Sequence, residues 1–244
     1  MTDAHCHVSC GDPAVRELLI GRDFAGVHPW AVAVGNQGAT EACGVPEATR
    51  LGALALTDLR ERLAADPLLG VGEIGLDRLN DRSISPRMRE VFAFQLALAA
   101  EFQRPVVLHG AKCWGQVVKA VQALCAAGRP APACLFHGFS RSDGLIPDIV
   151  ALGGYISVGP AVLNDHAVNY RELVKKIPLD RLLVETDRTA ENAATCPRIE
   201  AVLAKTAELR GLAPAELERL TDANADAFLG RIPAADYVSV KGDG

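Results

Sequence analysis

The chain has 244 residues, 49% of them apolar and 23% charged, with a formal net charge of −5. That length and balance suit a globular protein with a large core, and a barrel of this size is a single domain. The acidic surplus excludes a broad non-specific grip on nucleic acid, which needs basic surface, but not a nucleic-acid substrate held locally by metal ions.

Two Trp, three Tyr and seven Phe are too few for an extended base-stacking platform. Seven cysteines without CxxC spacing, and no apparent secretory leader, point to reduced thiols and a cytoplasmic protein. The most apolar helical stretch is interrupted by Gln95 and Glu101, so no membrane association is expected.

The chain opens on "TDAHCHVSC", a short apolar run carrying His5 and His7. Alternate residues of a strand share a face, so both imidazoles aim at one point and Cys6 turns away into the core. "DPAVRELLI" follows as a short helical pattern. Further candidate strands end at "FAGVHP", "LLGVGEIG", "RPVVLHG", "ACLFHGF", "GGYISVG" and "RLLVETD". Helical patterns are expected over 46–66, 86–103, 114–127, 169–177, 197–210 and 214–229, several of them opened by proline. Residues 1–230 read as one domain and 231–244 as an irregular C-terminal extension.

Strand–helix alternation of this kind means an α/β fold. Nearly every strand candidate finishes in a polar residue: His5 and His7, His28, Glu73, His109, His137, Ser157, Asp187. Such groups converge on one mouth in a TIM-type (β/α) barrel and spread along an edge in an open sheet, so the barrel is preferred. "GVGEIG" imitates a nucleotide-binding glycine loop, but it continues as a strand with no helix opening on it.

His5, His7, Glu73, His109, His137 and Asp187 form a mixed nitrogen and oxygen donor set, suited to Zn, Mn, Fe or Ni more than to an all-oxygen Mg site. Six donors exceed one tetrahedral ion and suit two ions sharing a carboxylate. Singly, each histidine has hydrogen bonding as its alternative, and each carboxylate an arginine. Jointly, six unpaired polar groups at one end of a core would be costly without metal.

With "DAHCHV", "GVHPW", "GEIGLD", "PVVLHGAKCW", "FHGFSRS", "GGYISVG", "LLVETD" and "NADAFLG" in this order, the chain resembles the TatD family of metal-dependent hydrolases, among the amidohydrolase-like barrels. The resemblance implies that His5, His7 and Asp187 hold one ion, that Glu73 bridges to a second, and that His109 and His137 complete it. It implies two divalent ions (Zn, Mn, Mg, Fe or Ni), a water between them as nucleophile, and Asp187 to orient that water and take its proton.

Secondary positions follow. His28 contacts substrate or fixes its loop through Pro29. Lys112 sits where many relatives carry an arginine and meets a phosphate or solvent. Ser140 and Arg141 touch substrate or form a plain loop. Asp77 orients a histidine or a loop rather than binding metal, Trp30 and Trp114 cap the barrel in preference to stacking on a base, and His166 lies at the surface.

Twenty residues separate His7 from His28, where typical relatives have room for a helix, a strand and another helix. The expectation is a contracted barrel of seven clear strands, lacking the second strand unit. The leading function is a phosphodiesterase or deoxyribonuclease acting on nucleic acid or a small phosphodiester, favoured by the cations Arg78, Lys112 and Arg141. Hydrolysis of a carboxylic ester or amide, including an aminoacyl ester, is the alternative. A non-catalytic metal-stabilised binding protein ranks below both, and no obligate protein partner is evident.

Overall fold

A computed structural model of the protein describes residues 1–33, 53–79 and 83–230. Among the described residues eight parallel strands run in chain order: β1 (Thr2–Cys6), β2 (Arg16–Leu19), β3 (Phe24–Ala25), β4 (Gly70–Asp77), β5 (Val106–Ala111), β6 (Cys134–Phe136), β7 (Tyr155–Val158) and β8 (Leu182–Val184). The helices are α1 (Pro29–Ala33), α2 (Ala53–Ala65), α3 (Pro86–Phe102), α4 (Trp114–Ala126), α5 (Ile146–Ala151), α6 (Val168–Lys176), α7 (Ile199–Arg210) and α8 (Pro214–Phe228).

β3 to β8 pair in sequence as one parallel sheet, and β1 pairs with β2. A single parallel bridge, Ile20 to Phe24, links β2 to β3. No ladder joins β8 to β1. There the Asp3 carboxylate accepts the Thr186 backbone N–H (3.0 Å) and hydroxyl (2.6 Å), while Asp187 N–H donates to His5 C=O (3.1 Å) and His7 N–H to Arg188 C=O (2.8 Å). The α/β, TIM-type reading therefore stands.

The strand count does not. "DPAVRELLI" offers an Asp cap with proline behind it, which reads as a helix start, yet Arg16–Leu19 is a strand paired to β1. Asp12 accepts the N–H of Ala14 (2.9 Å), closing a local turn in place of a helical cap. Pairing with β1 then buries Leu18 and Leu19, and tertiary burial overrides propensity. The contraction thus keeps the second strand; the two helices that would flank it are absent. In their place the β1–β2 connection folds back on Glu17, whose carboxylate accepts the Ser9 hydroxyl and the Cys10 N–H (2.6 Å).

α3 shows why the remaining helices lie where the sequence puts them. Ser85 Oγ accepts the Met88 N–H (3.1 Å), Pro86 opens the first turn, and Gln103 closes the helix at a left-handed φ of 53°. α4 buries Trp114, Val117, Val118 and Val121, one stripe at helical spacing. The short α1 and α5 were not foreseen. The 46–52 part of the expected first helix and the 231–244 extension lie outside the described residues. No described helix is long and apolar enough to cross a membrane.

α8 does more than cover a face. Ala225 and Phe228 cluster with Phe24, Val107, Leu135, Tyr155 and Leu183. The last four strand positions stand two residues before His109, His137, Ser157 and Glu185, on the same strand faces. The end of α8 therefore fills the floor beneath the polar cluster. Asn224 fixes it there by donating to the carbonyls of Leu179 (2.7 Å) and Leu182 (2.8 Å).

Candidate metal centre

Glu73 stands at the centre of the barrel mouth, 4% exposed. Its Oε2 faces His7 Nε2 (3.3 Å) and His5 Nε2 (3.6 Å). Its Oε1 faces His109 Nδ1 (2.6 Å), His137 Nε2 (2.6 Å) and His28 Nε2 (3.3 Å). One carboxylate thus turns one oxygen to each of two imidazole groups. Asp187 closes the first group, its Oδ1 lying 3.5 Å from His5 Nε2 and 3.7 Å from His7 Nε2.

Local structure sets these directions. The β1–β2 register shifts between Asp3 and Cys6, an irregularity that re-aims the end of β1. Gly75, at a φ of 153°, pairs with His109, and a side chain there would lie 2.0 Å from the His109 carbonyl oxygen. Only glycine lets β4 run close enough to β5 for Glu73 and Asp77 to bracket one imidazole. Asp187 adopts a left-handed φ of 48°, which turns the chain at the rim while its side chain stays 49% exposed.

Carboxylates bracket His109, with Nε2 2.8 Å from the fully buried Asp77 and Nδ1 2.6 Å from Glu73, so Asp77 orients the ring; with a cation bound, donation from Nε2–H to Asp77 would leave the Nδ1 lone pair turned inward. Trp30 Nε1–H donates to the same Asp77 oxygen (2.6 Å) and locks that carboxylate. His28 is arranged the other way round. Its Nδ1 accepts the Trp30 backbone N–H (3.2 Å), which leaves the neutral ring's proton on Nε2, facing Glu73. His28 is therefore a donor inside the cluster, and it also fixes its own loop.

Charge follows the packing. Burial pushes Glu73 up, but His137, His28 and His109 overcome it and hold the carboxylate well below its usual range. Burial and the neighbouring His137 lower His5 to about 4. Burial lowers His137 too, but Glu73, Glu185 and Asp187 outweigh it and raise that imidazole to about 10. Burial raises Asp187, yet its hydrogen bond to His5 and the charges of His5 and His137 hold it far below the usual range.

A metal fits this set. The buried Nδ1 atoms of His5, His7 and His137 have no hydrogen-bond partner, and His5 Nε2 has only the long approaches above. A buried nitrogen without a partner is costly and rare, and a cation between the rings would relieve His5 Nε2, the one of these atoms that faces the other donors. Donor atoms within 4.8 Å of one another form three overlapping groups: His5, His7 and Asp187; His5, Glu73 and His137; His28, Glu73 and His109.

A family model described as TatD related DNase matches residues 22–230. The chain belongs to this family of metal-dependent hydrolases. An uncharacterized metal-dependent hydrolase, YabD of Bacillus subtilis, is 33% identical over 129 residues, covering 53% of this chain and 49% of YabD. A protein of Cronobacter sakazakii named 3'-5' ssDNA/RNA exonuclease TatD is 30% identical over 213 residues, covering 82% of this chain and 74% of its own length. Among solved structures, the TatD homologue YJJV of Escherichia coli superposes with a TM-score of 0.67 at 24% identity, covering 91% of this chain and 79% of YJJV, and shares the fold. The family match begins after β2, so His5 and His7 stand in the cluster on geometry alone.

The structure places the other expected positions as follows. Lys112 and Arg141 are exposed, and with the half-buried Ser140 they line grooves at the rim. Cys6 is buried with its thiol towards Leu18 C=O, Trp114 packs on Phe136 and Phe139, and His166 is exposed.

Glu185 and Asp3 were missed. Glu185, 1% exposed, accepts the Gly138 N–H (2.8 Å) and the Ser157 hydroxyl, and so holds the turn that carries His137. Burial raises it to about 7. It shares strand parity with Asp187 in "VETD", a signal that could have found it. Asp3 precedes His5 by the same spacing, but its partner Thr186 is 183 residues away.

Asp77→Ala is expected to weaken metal binding about 10–100-fold, because His109 loses the acceptor that fixes its tautomer. Calorimetric titration with Mn²⁺ measures this, and unchanged affinity would remove Asp77 from the site.

Proposed function

We propose that the protein is a two-metal phosphodiesterase of deoxyribonuclease type, acting on nucleic acid or a small phosphodiester. The observation that carries this reading is Glu73, with one oxygen facing His5 and His7 and the other facing His109 and His137. His5, His7 and Asp187 would hold one divalent ion, His109 and His137 the other, with Glu73 between them; the donor set admits Zn, Mn, Mg, Fe or Ni. Bound there, such ions lower the pKa of a water and neutralise charge growing on phosphoryl oxygens.

The chain's own groups do the rest. Asp187 is ionised and half-exposed, with Oδ1 turned to His5 and His7, so Oδ2 remains to take a proton from an attacking water. His28 Nε2–H faces Glu73 at 3.3 Å and would turn from it to a phosphoryl oxygen entering beside it. Lys112, Ser140 and Arg141 at the rim meet the substrate phosphate. The name of the Cronobacter relative supports a nucleic-acid substrate. The six described cysteines are free thiols, which supports a cytoplasmic location.

The test is hydrolysis of bis(p-nitrophenyl) phosphate with Mn²⁺, then of an end-labelled single-stranded oligonucleotide. Turnover abolished by EDTA and restored by Mn²⁺ is expected. Metal-loaded protein without turnover would overturn the phosphodiesterase reading and move attention to carboxylic esters and amides. His28→Ala is expected to cost about 10–100-fold in kcat, the worth of a hydrogen bond to a charged group, with metal content unchanged. Loss of metal in that variant would make His28 a ligand instead.

A further inference from the structure

The charges around the mouth are not evenly spread. One groove, of about 920 Å³, is lined by Arg78, Lys112, Lys119 and Arg141, with no carboxylate among its described lining residues. A second, of about 720 Å³, shares Gly138, Ser140 and Arg141 with it but passes Glu185 and Asp187. Several exposed cations elsewhere on this acidic protein are paired with carboxylates: Arg60 with Glu101, Lys175 with Glu172, Lys176 with Asp143, Arg198 with Glu200, Lys205 with Glu208. Concentrated, carboxylate-free positive charge beside an anionic centre is the footprint of a polyanion.

We infer that the Lys112–Lys119–Arg141 groove is the track along which a single-stranded nucleic acid leaves the metal centre. This rests on the phosphodiesterase reading and extends it to phosphates that do not react. Lys112 directly follows β5, at the rim. Lys119 lies five residues into α4, which runs back from the mouth and recedes about 1.5 Å per residue. Lys119 therefore meets a phosphate further along the strand than the one at the metal centre. Leu79, 59% exposed on the same wall, offers an apolar surface to a base. Glu73 and His5 are buried below the rim, so a thin, flexible single strand reaches them where a rigid duplex does not.

The experiment is fluorescence anisotropy of a labelled oligodeoxythymidine with the full chain, titrated with salt in EDTA and again in Mn²⁺. Lys119→Gln is compared with Lys205→Gln, a cation on α7 away from the groove. Each lost phosphate contact should flatten the slope of log K against log salt by about 0.7 for a single strand. That flattening, with weaker binding, is expected for Lys119→Gln and not for Lys205→Gln. Bis(p-nitrophenyl) phosphate is too short to reach Lys119, so its turnover should be unchanged in both variants. A slope unaffected by Lys119→Gln, or affected equally by Lys205→Gln, overturns the track. Wild-type protein inert towards bis(p-nitrophenyl) phosphate overturns the phosphodiesterase reading instead, and the slopes still report on the groove.

Discussion

Asp187→Asn is expected to lower kcat for bis(p-nitrophenyl) phosphate by about 10²–10⁴-fold, the range for removing a positioned general base. The substitution keeps the size and one oxygen of the side chain but removes its charge and its capacity to accept a proton. It should not disturb the fold. The residue sits at a φ of 48°, where Asn is as well tolerated as Asp, and its backbone N–H to His5 C=O is untouched. Bound metal is measured alongside turnover. Loss of turnover with Mn²⁺ still bound assigns the proton-transfer role. Loss of both makes Asp187 chiefly a ligand, and turnover within about threefold of wild type, well under the range for a general base, excludes it from the chemistry.

Phe228→Ala should cost about 3–5 kcal/mol of stability, as for buried aromatic truncations that leave a cavity. Phe228 is 1% exposed, stacked on Phe24 at 6.0 Å and edge-on to Tyr155 at 5.9 Å. It closes the barrel floor from a helix held by Asn224, so the strands around it have little freedom to collapse into the void. In a chain of this size each kcal/mol corresponds to about 2–4 °C in Tm. Urea unfolding or a melting curve reads the loss directly. A cost under about 1 kcal/mol, below the range for filling a core position, would mean the end of α8 is not seated in the barrel. Because the floor lies two residues below His109 and His137, the same variant should also loosen metal binding.

The ligand inventory was legible in the sequence for a local reason. Strand parity and chain direction are short-range properties, so a polar residue ending an apolar run marks the mouth of a parallel barrel whatever its neighbours are. His5, His7, Glu73, His109, His137 and Asp187 all reach the cluster on that rule. So do the long helices, whose caps and apolar stripes lie within their own segments. The second strand was not legible, because Asp12-Pro13 carries a genuine helix-start signal and only the unpaired edge of β1 overrules it.

By itself, then, the sequence placed two carboxylates, Glu73 and Asp187, and four imidazoles, His5, His7, His109 and His137, at the mouth. The tertiary structure decided how they are used: that Glu73 divides its oxygens between two imidazole groups, and that Trp30 makes His28 a donor while Asp77 orients the His109 ring. It also decided that Asp3 and Thr186 join β1 to the end of β8. Each of these depends on a partner brought close by folding, 183 residues away in the last case. Local pattern fixes a side chain's direction; a hydrogen bond's partner, and with it the tautomer and the charge, is fixed only when distant strands are packed side by side.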